Sequence, residues 1–319
     1  MGERKLFRVA GLAVSEIPSR SSRIERDLQT LFEQHLDSFL GIRFLETEYS
    51  TGADHGGRID TLGLDENNYP VIIEYKRRSD ENVLTQILFY YDWLIKHKPD
   101  FQLLVQEKLE RKIAEQIDWS VVRLLCIAGD FAKYDVHAVR HIDKNIEMLT
   151  YRHYGDDMIL LEFVTDGVGS KRRDSVRIVG PAEVHLNGDD SVSTEPGGDR
   201  GDQYSMTYRL ERSDGAMRSL FDSVSERLLA LGDDVRRVET KTYFAFKRLR
   251  NFACIEIAPT KQVTIFLKLD PKTVDLEDGF TRDMTGKGHQ GTGDLEIAVK
   301  SEADLEKAGP LLERAYAGT

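Results

Sequence analysis

The stretch from Gly56 to Tyr91, GGRIDTLGLDENNYPVIIEYKRRSDENVLTQILFYY, restricts folding more than any other part of the chain. An apolar run ending near Leu64, a turn built on Asp65-Glu66-Asn67-Asn68, and a second run Val71-Ile72-Ile73-Glu74-Tyr75-Lys76 together predict a β-hairpin. Residues two apart on a strand share a face, so Ile72, Glu74 and Lys76 project together while Val71, Ile73 and Tyr75 project oppositely. A carboxylate and an ammonium inside so apolar a strand oppose folding unless something compensates them, and function is the usual reason they persist. Antiparallel pairing around the turn would bring Asp60 toward Glu74. Two hard carboxylate oxygens at close range suit Mg²⁺, which takes one or two carboxylates together with water and phosphate oxygens. Lys76 beside such an ion could orient or deprotonate a water, or stabilise negative charge developing in phosphodiester hydrolysis. Taken alone, a D…ExK pattern also describes an ordinary surface salt bridge worth little.

The segment NVLTQILFYYDWLIKH that follows carries apolar residues at Val83, Leu84, Ile87, Leu88, Tyr91 and Leu94, which is helical spacing. Gln86 and Tyr90 lie one turn apart on a flank of that helix, where an amide and a phenol could face the acidic strand or simply face solvent.

The order GRID, then EYK, then Q-x-x-x-Y on the next helix resembles the PD-(D/E)XK nuclease superfamily, in particular its branch of RecB-like and NucS-type nucleases. The resemblance covers roughly the N-terminal half of the chain. It implies a restriction-endonuclease-like domain in which Asp60 and Glu74 bind Mg²⁺ or Mn²⁺, Lys76 assists the attacking water, and Gln86 and Tyr90 organise the site and the DNA. It also implies an acid on the preceding helix, SSRIERDLQTLFEQHLDSFL. There Glu25 stands three residues after Ser22, a capping-box spacing, and within roughly 50° of the centre of the stripe Ile24, Leu28, Leu31, Phe32, Leu36 and Phe39. Glu25 is therefore the expected inward acid and third metal contact, or else only a helix cap, and Glu33, more than about 100° away, is expected to face solvent. NucS-type relatives pair two sites across a duplex, which implies a homodimer.

A chain of 319 residues favours two domains, and 40% hydrophobic with 31% charged residues is an ordinary soluble balance. With no long apolar run and no signal-peptide pattern, the expected location is cytoplasmic, away from membranes. Cys126 and Cys254 lie far apart in apolar runs, without metal-ligand spacing, and read as buried small hydrophobes. A net charge of −11 argues against a protein that coats nucleic acid non-specifically, so phosphate contacts must be local. The cations placed for that role are Arg58, then Arg77 and Arg78 directly after Lys76, and Lys96 with Lys98 after the helix.

Along the rest of the N-terminal half, KLFRVAGLAV reads as a strand or ordered arm and Phe44 to Tyr49 as the first sheet strand. His55 sits in the loop before the acidic strand, exposed or touching substrate. Phe101 to Val105 reads as strand-like, VVRLLCIAGDF as a buried central strand, and IEMLTYRHY with MILLEFV as a closing hairpin. His137 and His141 have metal-ligand spacing but lack the H-E-x-x-H arrangement and read as amphipathic surface. The Gly-, Ser-, Asp- and Arg-rich stretch from Asp166 to about Gln203, with a conceivable strand at Ser175 to Val179, reads as a linker.

The C-terminal part combines an amphipathic helix (MRSLFDSVSERLLALG), the strand-like runs TYFAFKRL, FACIEIAP, QVTIFLKL and DLEIAVK, and a closing helix. It resembles a small domain of unknown function found behind NucS-like nuclease domains. Tyr243, Phe244, Phe246 and Phe252 interleave with Lys247, Arg248 and Arg250, a pattern that could stack bases and bind phosphates, although strand alternation sends half of such aromatics inward. The expected architecture is α+β: a restriction-endonuclease-like α/β/α domain with a mixed sheet over residues 1–165, a linker over 166–204 and a smaller α+β domain over 205–319. The expected function is metal-dependent hydrolysis of nucleic-acid phosphodiesters, most simply as a DNA endonuclease. The competing expectation is a non-catalytic nucleic-acid-binding or regulatory protein that keeps the nuclease fold, and nothing in the residues separates DNA from RNA.

Overall fold

The computed structural model describes residues 5–20, 25–76, 83–165, 206–258, 262–289 and 291–319. Spatial proximity along the backbone divides the chain into two units, Met1–Ser170 and Lys171–Thr319. The expected linker over 166–204, its conceivable strand at Ser175 to Val179, and Arg77 and Arg78 lie outside the described residues.

In the first unit an N-terminal hairpin, β1 (Leu6–Ala10) with β2 (Ala13–Ile17), forms its own two-stranded sheet. Then come β3 (Ser19–Arg20), α1 (Glu25–Gln34), α2 (Leu36–Leu40), β4 (Ile42–Ser50), α3 (Gly52–His55), β5 (Arg58–Asp65) and β6 (Pro70–Lys76). They are followed by α4 (Val83–Lys96), α5 (Lys98–Lys108), α6 (Arg111–Glu115), β7 (Arg123–Ala128), α7 (Lys133–Val139), β8 (Asn145–Tyr154) and β9 (Met158–Thr165). The main sheet is mixed, in the order β3-β8-β7-β6-β5-β4, with β9 also paired to β8. The neighbours β6, β7 and β8 run parallel, and β5 pairs antiparallel with both β4 and β6.

Every residue of β6 and β7 is buried, because helices cover both faces of this part of the sheet. On one face Leu62, Ile72 and Cys126 join a core with Val83, Ile87, Tyr90 and Leu94 of α4. On the other, Phe32 of α1 meets Tyr75 with ring centroids 5.9 Å apart. Two-sided burial explains why these strands read as continuous apolar runs rather than alternating ones. The segment expected to be a strand at Phe101 to Val105 is instead α5: Phe101, Leu104 and Val105 are buried at helical spacing while Leu103 faces out.

At the starting end of β6 and β7 the buried Arg123 guanidinium spans two carboxylates. Its Nε and Nη2 donate to the two oxygens of Glu147 at 2.7 and 3.1 Å, and Nη1 donates to Asp65 Oδ2 at 3.1 Å. Asp65 Oδ1 also accepts from the backbone N–H of Asn67 and of Tyr69, which closes the hairpin turn.

The second unit contains α8 (Met206–Glu211), α9 (Gly215–Leu229), β10 (Arg236–Glu239), β11 (Phe244–Lys247), β12 (Asn251–Ala258), β13 (Gln262–Leu267), β14 (Thr281–Asp283), β15 (Leu295–Val299) and α10 (Glu302–Ala317). Its six strands pair antiparallel in the order β10-β11-β12-β13-β15-β14, and α8, α9 and α10 bury one face of the sheet. The aromatic residues expected to stack bases are core: Tyr243, Phe244, Phe246 and Phe252 are all buried. The opposite face of the sheet carries a second cluster of Tyr243, Ala245, Cys254, Phe266 and Met284. The loop after β14 closes over that cluster, with His289 stacked on Phe266 at 4.5 Å. Of the basic residues between them, Lys247 is buried and Arg248 donates through Nε to Asp234 at 2.7 Å.

Candidate active site

The ladder between β5 and β6 runs from Leu64↔Pro70 to Thr61↔Ile73 and stops there. One step further the two strands are joined by side chains instead. Tyr75 N–H donates to Asp60 Oδ2 at 2.9 Å, and Asp60 N–H donates to Glu74 Oε1 at 3.3 Å. Each acid thus takes up a backbone donor that the ladder leaves unmatched, and the strands part around a carboxyl pair.

The two acids sit in different environments. Asp60 is half-buried, whereas Glu74 is 0% exposed on β6. Burial, and then the charge of the neighbouring Asp60 carboxylate, pushes the Glu74 carboxyl up to about 9. The Asp60 N–H and the Lys76 ammonium pull in the opposite direction and do not prevail. Glu74 Oε2 is buried and accepts no hydrogen bond from the described residues. Lys76, 8% exposed, ends β6 on the same face as Glu74. Parallel pairing sets Glu74 opposite Cys126 and Lys76 opposite Ala128. The Cys126 thiol is raised above its ordinary value by burial first and by Glu74 next, which makes it an inert part of the floor.

The supporting pair from α4 also comes to this end of β5. Gln86 Nε2 donates to Tyr90 Oη at 3.4 Å, and Tyr90 Oη accepts from Arg58 N–H at 3.2 Å, two residues before Asp60. These two residues hold the strand that carries Asp60 through its backbone. Behind the pair lies a network the sequence reading left out. Gln29 Nε2 donates to Asp60 O at 2.9 Å, to Glu33 Oε1 at 3.1 Å and to Thr47 Oγ1 at 3.2 Å, and Thr61 Oγ1 donates to Glu33 Oε1 at 2.5 Å.

Glu33, expected to face solvent, is therefore half-buried and bonded to the strand next to Asp60. The buried face of α1 reaches beyond its apolar stripe: the polar Gln29 is buried with Leu28 and Phe32, and Glu33, one turn further on, follows it against Thr61. Glu25 is the first residue of α1, but its side chain, like Ser22, which was expected to cap the helix, lies outside the described residues. Among the described residues no group of three or more His, Cys, Asp and Glu side chains is disposed to hold a metal, so the acids brought together here are a pair.

Of the cations placed for phosphate contact, Arg58 is exposed and pairs with Glu48 at 3.3 Å. Lys96 pairs with Asp92 at 2.7 Å, and Lys98 Nζ stands 5.0 Å over the Trp119 ring. His137 and His141 meet edge to face, ring centroids 4.9 Å apart. No helix among the described residues is long and apolar enough to cross a membrane.

Three comparisons bear on this arrangement. The model described as "Domain of unknown function (DUF5655)" matches residues 207–319, the strands and helices of the second unit. An uncharacterized protein of Haemophilus influenzae (strain Rd KW20) is 26% identical over 321 residues, covering 98% of this chain and 99% of its own. A solved structure titled "Structure of EndoMS-dsDNA2 complex" is 14% identical with a TM-score of 0.26, over 46% of this chain and 64% of that one. This chain thus spans less than two thirds of that protein, and a likeness at such a TM-score carries no argument.

Proposed function

We propose that the first unit is a metal-dependent nuclease of restriction-endonuclease-like fold that hydrolyses nucleic-acid phosphodiesters, most simply as a DNA endonuclease. The observation that carries this reading is the parted strand pair. It holds a half-buried acid at the rim, a fully buried acid with one oxygen that has no partner among the described residues, and a lysine two residues further along the same face. A buried carboxyl with an unused oxygen beside a second carboxylate is a donor set that suits a hard divalent cation. Asp60 and Glu74 would hold Mg²⁺ or Mn²⁺, with Glu25 as an expected third contact; when bound, such an ion neutralises phosphate charge and acidifies water. Glu74 would enter the loaded site as the carboxylate by giving up its proton. Lys76, at the end of the strand, would hold the attacking water or donate to a phosphate oxygen. Gln86 and Tyr90 would keep β5 at the spacing the pair requires. The second unit would recruit a substrate or a partner.

The test is calorimetric titration of Mg²⁺ and Mn²⁺ into the wild-type protein and Asp60→Ala, followed by incubation with single-stranded, duplex, branched and mismatched DNA. The reading expects a binding heat lost in Asp60→Ala and hydrolysis of at least one substrate by wild type alone. Metal binding without hydrolysis of any of them would favour a binding module instead.

A further inference from the structure

Next to the acid pair lies an aromatic surface that the reaction outlined above does not use. Phe89 of α4 is 44% exposed. The half-buried His55 ring is stacked on it, centroids 3.8 Å apart and planes 23° from parallel. The stack is held in place: His55 Nε2 donates to the Phe89 carbonyl at 2.9 Å, since that oxygen can only accept. The loop carrying His55 is itself fixed, because Thr51 Oγ1 accepts from Gly57 N–H at 2.8 Å and donates to Gly57 O at 2.9 Å. Gly57 is required there, as a Cβ would stand 2.6 Å from the Tyr90 ring and 3.3 Å from the Phe89 ring. From this loop the chain passes directly into β5, with Arg58 exposed at its start and Asp60 two residues, about 7 Å, further on.

We propose that Phe89 and His55 form a shelf on which an unpaired nucleobase stacks while a phosphate of the same strand lies at Asp60 and Glu74. The proposal rests on the nuclease reading and narrows its substrate class. Bases inside a duplex have their faces covered by neighbouring pairs, so a rigid aromatic shelf selects single-stranded or extruded nucleotides, with any base accepted. The exposed guanidinium of Arg58, in a surface pair with Glu48, is placed to meet the backbone between base and scissile phosphate.

The experiment uses the full chain with EDTA, so that binding is read without hydrolysis. A single-stranded DNA oligonucleotide carrying 2-aminopurine and the same sequence as a blunt duplex are titrated, reading fluorescence and affinity. Stacking predicts quenching and preference for the single strand in wild type. Phe89→Ala and Phe89→Leu should both lose the quench and bind the single strand about tenfold more weakly, while Phe89→Trp keeps both. Phe89→Leu separates ring stacking from apolar bulk, and tryptophan fluorescence of each variant checks that the first unit is folded. Wild type failing to bind or quench the single strand, or Phe89→Leu quenching as wild type does, would overturn the shelf. A retained quench with no hydrolysis of any substrate in Mg²⁺ or Mn²⁺ would instead overturn the nuclease reading and leave the shelf standing.

Discussion

Glu74→Gln should stabilise the metal-free protein while removing its use for a cation. In the unfolded chain the Glu74 carboxyl ionises near 4.5, and in the folded unit it keeps its proton to about 9. Between those values the folded state binds the extra proton, so the stabilisation this group confers is complete below about pH 4.5 and is lost progressively toward pH 9. At pH 7 the unfolded chain has gained ionisation across about 2.5 of those pH units, and at roughly 1.4 kcal/mol per unit the carboxyl costs at most about 3.5 kcal/mol. Glutamine has nearly the same shape and carries no such penalty, so on the order of 2–3 kcal/mol should return at pH 7 and almost none at pH 4.5.

Both tryptophans, Trp93 and Trp119, lie in the first unit, so urea unfolding followed by tryptophan fluorescence reads that unit alone. In EDTA, wild-type stability should fall from pH 5 to pH 9 with a slope that Glu74→Gln flattens, and the variant should be the more stable at pH 8. Adding Mg²⁺ or Mn²⁺ at pH 8 should reverse the order, because a cation stabilises only the protein that binds it. A wild-type profile no steeper than that of the variant, or a variant less stable at pH 8 in EDTA, would refute the account of a carboxyl buried at a cost.

Two further substitutions test what surrounds the pair. Arg123→Leu strands Asp65 and Glu147 as uncompensated buried charges and should cost about 3–5 kcal/mol in the same urea assay, with stability falling as pH rises, the same sign as for Glu74, because the stranded acids gain from protonation in the folded state. Gln29→Leu removes the donor to the Asp60 carbonyl; it should cost only about 1–2 kcal/mol of stability yet weaken calorimetric Mg²⁺ affinity, whereas Gln29→Glu, which keeps the length but not the donor amide, should not restore it.

The hairpin and its acids were legible because strand alternation is a strict period of two, so a buried Glu74 and Lys76 could be placed on one face from the letters alone. The helix face of Glu33 was not, since a stripe drawn through apolar residues alone leaves out the polar Gln29, which is buried and brings Glu33, one turn on, against Thr61. Phe101 to Val105 misled for the reason all short apolar runs do: five residues fit either period, and only the burial of 101, 104 and 105 with Leu103 outside decides it. In the second unit, reading half of the hairpin aromatics as surface assumed a sheet open on one side. The loop bearing Met284 and His289 covers that side, through contacts far apart in sequence that no local pattern records. The Phe89–His55 stack escaped for the same reason, being formed between a loop and a helix 34 residues apart.

What separates the candidate site from ordinary buried charge is visible within the same strands. At one end of the β5–β6–β7–β8 group stand two acids and a base, Asp65, Glu147 and Arg123; at the other stand two acids and a base again, Asp60, Glu74 and Lys76. Formal charge is the same at both. At the first end both Glu147 oxygens and both Asp65 oxygens accept hydrogen bonds, from Arg123 and from the turn amides, and the set is complete as it stands. At the second, Glu74 uses one oxygen for Asp60 N–H and leaves the other buried without a donor among the described residues, with its carboxyl pushed up to about 9. An arrangement of that kind gains stability from a ligand that supplies positive charge to both acids, whereas the Arg123 set would gain nothing. The same residue types, closed at one end of a sheet and open at the other, are what single out the second set and not the first as the candidate site.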